Sequence, residues 1–282
     1  MKPKATDISI HGWESDGILL EQYAYTSGTV EPLPKHAHEE YQLGLSFDCA
    51  GEYRYGGEYH CIPTGSLSII QSGEVHSPSD RTYLSEPISF WMMHIHPSWL
   101  QTVTAEISEK AVVVPFFQTI SITDSVLNDL FLTLHTVTSK TASKLEQDTA
   151  IWQFLSYLVV HHAQKRPSVP PLLTSHAGVK LARDYLHTHY ADEISLDGLA
   201  QIAGLSRFHF CRVFRKEVGL SPNIYQTQLR IAQAKKLLVQ GMAIATVATS
   251  TGFYDQSHFG GQFKRQVGVT PKCYGKKTAI FS

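Results

Sequence analysis

Two groups of residues have the types and spacing to do chemistry. The first is rich in imidazole: His36-Ala37-His38 with Gln42 four residues on, then Gly73-Glu74-Val75-His76. Residues two apart in an extended chain share a face, so His36, His38 and Gln42 are expected on one side of a strand. Trp91, His94 and His96 follow in an apolar run, with Trp91 on the opposite face from the two histidines; either face would suit a pocket. Neutral imidazole serves as a transition-metal ligand or as a hydrogen-bonding partner for a small organic molecule. Taken singly, each of these histidines is more often a satisfied core residue.

The second group is cationic and aromatic. Arg207, Phe208, Cys211, Arg212 and Lys216 lie in one short stretch, and Gln256, Ser257, His258, Lys264 and Arg265 in another. An arginine fork matches guanine O6 and N7, a phenyl ring packs on a thymine methyl, and lysine and arginine meet phosphates. These are the side chains of a DNA reader.

The elements that must hold the second group are written twice. His209-Phe210, Phe214, Gly219, Ser221-Pro222 and Tyr225 recur as His258-Phe259, Phe263, Gly268, Thr270-Pro271 and Tyr274, each pair 49 residues apart. Repeat arrays need about three or more units to bury a core, so two copies read as a duplicated module. Helix signals frame each copy. Ser195 caps 196–203, which ends at Gly204; Ser206 caps 207–218, which stops at Gly219; Ser221-Pro222 opens a long helix. After Gly241 the order returns as 244–250, a turn through Gly252-Phe253, and Asp255 capping 256–267. A short helix, a tight turn and a second helix is the arrangement that places its second helix in a major groove.

Charge divides the chain in the same way. From Thr174 onward there are 14 Lys+Arg against 6 Asp+Glu, leaving 10 of the 24 basic and 19 of the 25 acidic residues in front. A basic tail behind an acidic front suits a polyanion partner for the tail. Length favours two domains. The N-terminus has no apolar segment of the signal-peptide kind, no run is long enough to span a bilayer, and Cys49, Cys61, Cys211 and Cys273 form no C-x-x-C pair. A cytoplasmic protein with reduced thiols is expected.

Ahead of the tail, residues 1–17 read as an irregular arm. Residues 18–96 read as short strands between Gly and Pro turns, with Tyr41, Leu43, Leu45 and Phe47 alternating as a half-buried strand and 88–95 as an apolar closing strand. Segments 98–109, 124–139 and 144–163 carry helical periodicity. The stripes Leu127, Leu130, Phe131, Leu134, Val137 and Leu145, Trp152, Leu155, Leu158, Val159, His162 suit either a bundle on the β domain or a dimer interface. Residues 164–175, with Lys-Arg-Pro and Pro-Pro, read as a linker.

From Val179 to Tyr274 the tail resembles the DNA-binding domain of the AraC/XylS family. The match is carried by Ser195-Leu196, Leu199-Ala200, Gly204-Leu205-Ser206, His209-Phe210, Arg230, Gly252-Phe253, Asp255 to Phe259, Phe263-Lys264-Arg265 and Gly268 to Pro271. That resemblance implies seven helices, two helix-turn-helix units, promoter DNA, RNA polymerase and a second copy of the chain as partners, with activation as the commoner mode. Members often carry a Ser-Arg pair after the second His-Phe, where this chain has Gly260-Gly261. The second unit is therefore expected to read through Gln256, Ser257 and His258, with the first dominating specificity. The front resembles a cupin barrel, with His76 facing His36, His38 and Gln42 from another strand. Metal cupins hold a transition metal with three histidines and a carboxylate; here the carboxylate position is Gln42, a neutral and weak ligand. No metal and no cofactor are therefore expected, and His36, His38, Gln42, His76, Trp91 and His94 are expected to line a pocket for a small organic effector.

The expected architecture is α+β multidomain. It comprises a β-barrel effector domain (1–97, arm 1–17), a helical dimerisation segment (98–163), a linker (164–175) and an all-α double helix-turn-helix domain (176–282). The rival reading is a metal-dependent cupin enzyme with a DNA-binding tail.

Overall fold

The computed structural model describes residues 5–31, 34–78, 82–108, 114–140, 142–164, 167 and 176–278. The expected linker, 164–175, lies outside them apart from residues 164 and 167. The chain divides into two compact units, residues 1–135 with 154–169 and residues 136–153 with 170–282.

The first unit is built on antiparallel sheets. Strands β1 (Ile8–Ser15), β2 (Ile18–Tyr25), β3 (Gly28–Thr29), β4 (Tyr41–Leu45), β5 (Gly51–Tyr55) and β6 (Glu58–Ile62) come first. They are followed by β7 (Leu67–Ile70), β8 (His76–Pro78), β9 (Tyr83–Leu84), β10 (Ile88–Ile95) and β11 (Ser121–Ile122). A six-stranded sheet runs β1-β2-β10-β4-β7-β11, a three-stranded sheet β6-β5-β8, and β3 pairs with β9.

Two expectations change here. Residues 8–15 are not an irregular arm: they pair along their whole length with β2, from Ile8 opposite Tyr25 to Ser15 opposite Ile18. The strand is exposed on the sheet edge, which is why its polar composition misled. Nor is β4 half-buried: every residue from Tyr41 to Leu45 is buried. It lies between β10 and β7, so its second face, with Gln42 and Gly44, turns into a cavity rather than into water. A Cβ at Gly44 would sit 2.9 Å from both Met92 Sδ and Ser68 Oγ, so any larger residue here would require those side chains to move.

The helices α1 (Pro97–Ser108), α2 (Ser125–Thr138) and α3 (Lys144–His162) follow the periodicity closely. Asp124 caps α2, accepting from Val126 N at 2.9 Å and Leu127 N at 3.1 Å, and also receives the Tyr157 hydroxyl. Leu127, Phe131 and Leu134 on one stripe and Leu145, Trp152, Leu155, Leu158 and Val159 on the other are buried within this single chain. Intramolecular packing thus uses both stripes.

Among the described residues from His176 onward, the second unit holds seven helices: α4 (His176–Thr188), α5 (Leu196–Ala203), α6 (Arg207–Val218), α7 (Pro222–Val239), α8 (Ile244–Ser250), α9 (Gln256–Val267) and α10 (Pro271–Thr278). Local chemistry sets their ends. Ser195 Oγ accepts from Gly198 N, Ser206 Oγ from His209 N and Asp255 Oδ1 from His258 N, each satisfying an orphan donor. Gly204, Gly219 and Gly268 take the left-handed conformation that ends α5, α6 and α9. Phe210, Val213 and Phe214 bury the inner face of α6. Phe259 and Phe263 do the same for α9, against Ile231, Ala234, Leu238, Val247, Ala248 and Phe253. Arg230 is spent inside the unit, donating to Tyr190 O at 2.7 Å and Asp192 O at 2.9 Å; burial lowers its pKa to about 10.

Candidate nucleic-acid interface and effector cavity

In the second unit, capping orients what α6 and α9 show to solvent. Because Phe210 and Phe214 must face inward, Arg215 and Lys216 are left exposed on α6, and Phe259 and Phe263 leave Gln256, Ser257, Lys264 and Arg265 exposed on α9. Cys211 and Arg212 are half-buried on the outer side of α6, and the Arg212 guanidinium lies 5.2 Å from the Phe208 ring centroid. These residues form two cationic faces that can take phosphates and base edges. Gly260 and Gly261 have nothing within 4 Å of a built Cβ, so part of α9 presents bare backbone.

Two expected readers are placed otherwise. The Arg207 guanidinium is stacked on the Trp152 ring at 4.1 Å and lies 3.9 Å from Asp197 Oδ1. A stacked, ion-paired guanidinium is already engaged within the protein. His258 turns inward: its side chain is 16% exposed, its Nε2 lies 3.9 Å from Glu146 Oε2, and its ring meets Phe253 edge-on. Burial lowers its pKa, and its Nδ1 is buried without a hydrogen-bond partner among the described residues. The repeat contained the signal for this. His258 is the counterpart of His209, which is also buried and meets its own cap residue, Ser206, at 3.1 Å. Tyr254, which the sequence does not single out, is 70% exposed in the turn before α9. A lone aromatic in a turn is the only trace it leaves in the sequence.

In the first unit a cavity of about 380 Å³ is lined from both main sheets. Tyr23, Gln42, Phe90, Met92 and His94 come from the larger sheet, and Tyr53, Ile62 and His76 from the smaller. Five of the six expected pocket residues are there: His36, His38, Gln42, His76 and His94. Trp91 is not. The alternation of β10 turns Phe90, Met92 and His94 inward and Trp91 away, where it meets Phe47 at 6.4 Å. The route by which His36 and His38 arrive also differs from expectation. They precede β4 rather than beginning it, and His36 is fixed instead by reciprocal backbone hydrogen bonds of 2.9 Å with His76.

The polar end of the cavity is ordered by hydrogen bonds. His38 Nε2 lies 3.1 Å from Gln42 Oε1, and Gln42 and Ser68 bond the Tyr53 hydroxyl, whose pKa desolvation raises. His94 Nε2 meets Glu21 Oε2 at 3.2 Å. Burial lowers the pKa of both His76 and His94, favouring neutral imidazole. The remaining walls, with Leu45, Ile62, Phe90 and Met92, are largely apolar. Such a cavity suits a small molecule with an apolar body and a polar head.

A family model for a helix-turn-helix domain matches residues 199–277, and one for an AraC-like ligand binding domain matches residues 23–155. The chain belongs to the AraC/XylS family. It is a DNA-binding transcription regulator with a ligand-binding N-terminal domain, as the double helix-turn-helix unit and the cupin-like unit indicate. Among its relatives, the uncharacterized HTH-type transcriptional regulator YbfI of Bacillus subtilis is 29% identical over 86% of each chain. The lactose operon transcription activator of Staphylococcus xylosus is 21% identical over 79% of each. An AraC-type DNA-binding domain from Chromobacterium violaceum is 25% identical, covering 37% of this chain and 95% of that one, with a TM-score of 0.35. Among the described residues no helix is long and apolar enough to cross a membrane.

Proposed function

We propose that the chain is a cytoplasmic regulator that binds promoter DNA through α6 and α9 and answers to a small organic effector held in the cavity of the first unit. The observation that carries this reading is the pairing of the two parts in one chain: two capped helices with exposed Lys, Arg and Gln side chains, and a cavity with one polar end. In the first helix-turn-helix unit Arg212 and Phe208 read bases, with Cys211 beside them and Lys216 on phosphate. In the second, Gln256 and Ser257 read, and Lys264 and Arg265 meet phosphates. Arg207 and His258 serve the fold of the unit instead. Tyr254 joins the second face as a phosphate or thymine-methyl contact.

The domain limits follow the same reading: effector domain 1–97, helical segment 98–163, linker 164–175 and DNA-binding domain 176–282, working as a homodimer that engages RNA polymerase. Since the two apolar stripes are buried within the chain, the second copy would meet other surface of that segment. The effector acts by its differential affinity for two states. Non-enzymatic action is favoured because the relatives are regulators. Anisotropy titrations on a duplex carrying the binding site test the base-reading assignment. Arg212→Ala is expected to cost about 1–3 kcal/mol and relax one base position. Unchanged affinity and preference in both Arg212→Ala and Gln256→Ala would remove α6 and α9 as readers.

A further inference from the structure

A short stretch of helix from ahead of the linker belongs to the DNA-binding unit by its contacts. Residues 144–153, the first half of α3, fall in the second unit. Asp148 is 8% exposed; its Oδ2 accepts from Leu196 N, the first backbone donor of α5, at 3.0 Å, and Lys144 Nζ meets its other oxygen at 2.8 Å. Burying a carboxylate is costly unless it is paired and hydrogen-bonded. Here the pairing goes to the start of the first helix-turn-helix unit, where the helix dipole favours negative charge. Helix α5 thus has two caps, Ser195 from inside the duplicated module and Asp148 from outside it, whereas its counterpart α8 has no side-chain cap.

The same stretch reaches both recognition helices. Trp152, 4% exposed, carries the Arg207 guanidinium on its ring at 4.1 Å, at the first position of α6. Glu146 Oε2 lies 3.9 Å from His258 Nε2 on α9, in the field of Arg265 and of Arg230 on α7. Two helix-turn-helix units joined only by α7 could turn about its two ends. A second tie between them removes that freedom, and preorganised surfaces lose less entropy on binding. Arg207 and His258, which serve the fold of the unit, are the residues that this tie holds.

We propose that residues 144–153 are a brace of the DNA-binding unit: Asp148 and Trp152 hold the first helix-turn-helix unit, Glu146 holds the second, and α6 and α9 thereby keep one separation and one phase along the duplex. The proposal rests on α6 and α9 both being readers. Asp148, Trp152 and Glu146 are positioning residues, acting through Leu196, Arg207 and His258 and meeting no DNA themselves. The DNA-binding unit is then not complete within 176–282, because its brace precedes the linker.

The test measures spacing as well as affinity. Full-length protein is titrated by anisotropy against three duplexes: the site enriched from randomised DNA, that site with one base pair inserted between its two contacted segments, and a duplex carrying the α6 segment only. One insertion turns the segments apart by about 34°, at roughly 10.5 bp per turn. The wild-type chain is expected to lose about tenfold or more on insertion, because linked readers gain only where both engage. In Trp152→Leu and Asp148→Ala that penalty is expected to shrink to about threefold or less, with affinity for the α6-only duplex within about threefold of wild type. Trp152→Phe, which keeps a ring for Arg207, should restore the penalty, and Glu146→Gln should shrink it without emptying buried volume. A penalty carried unchanged into Trp152→Leu, Asp148→Ala and Glu146→Gln overturns the brace and leaves both readers in place. Equal losses on all three duplexes, with a lowered thermal midpoint, make these residues structural only and also overturn it. A wild-type chain indifferent to the insertion overturns the two-reader reading and the brace with it.

Discussion

His135 lies edge-on to Trp13 at 5.5 Å and against Phe131, and burial lowers its pKa to about 3. Folding therefore excludes a proton that the unfolded chain takes up below about pH 6.5. The unfolded state binds more protons in that window, so stability rises with pH and is lost as pH falls from about 6.5 toward 3. At about 1.4 kcal/mol per unit, going from pH 7 to pH 5 should cost the first unit about 2 kcal/mol through this one residue. Denaturant unfolding at the two pH values checks this, and His135→Leu should flatten the difference; an equal loss in the variant would place the acid sensitivity elsewhere. Arg207 is judged at the same scale. Its stack on Trp152 makes Arg207→Ala a stability mutation, costing about 1–2 kcal/mol, with less than about a tenfold change in DNA affinity. A larger affinity loss at unchanged stability would return it to the DNA face. The residue types of the site were legible in the sequence. Direction was legible only where it is local. Alternation set Trp91 opposite His94, but which of the two faces lines the cavity was not written in β10. Arg207 turns to Trp152, a partner distant along the chain.

Elements differ in how far their own residues determine them. The helices of the second unit start and stop where Ser195, Ser206, Asp255, Gly204, Gly219 and Gly268 say they should, because caps are local chemistry. Strands are not local. Ile8–Ser15 is a strand because β2 is beside it, and β4 is buried on both faces because of what lies across the cavity. Two glycines separate the cases. Gly252 has φ +79°, and a Cβ there would come 2.2 Å from Ala191 O. Gly252→Ala should therefore destabilise the second unit by about 2 kcal/mol or more. Gly261 is helical with open space around it. Gly261→Ala should raise stability by about 1 kcal/mol, read as a higher thermal midpoint; a drop would show that α9 needs the missing side chain for its own packing.

At the scale of the whole molecule, the division of labour was legible early, because the charge balance changes sign at about Thr174, ahead of the helices that carry the repeat. The cavity was legible only as a list of histidines, since His36, His76 and His94 approach from three separate parts of the chain. Binding by the basic tail should show strong salt dependence, log K falling with log salt at a slope of about −0.9 for each phosphate neutralised. Lys216→Ala and Lys264→Ala should each reduce that slope by about 1. The account stands most directly on binding-site selection from randomised duplex DNA with the purified full-length chain. It predicts one enriched sequence with two contacted segments about one helical turn, roughly 10.5 bp, apart. The segment read by α6 should change with Arg212→Ala and the segment read by α9 with Gln256→Ala. Selection that yields no enriched sequence, or a single segment unaffected by either substitution, would contradict it.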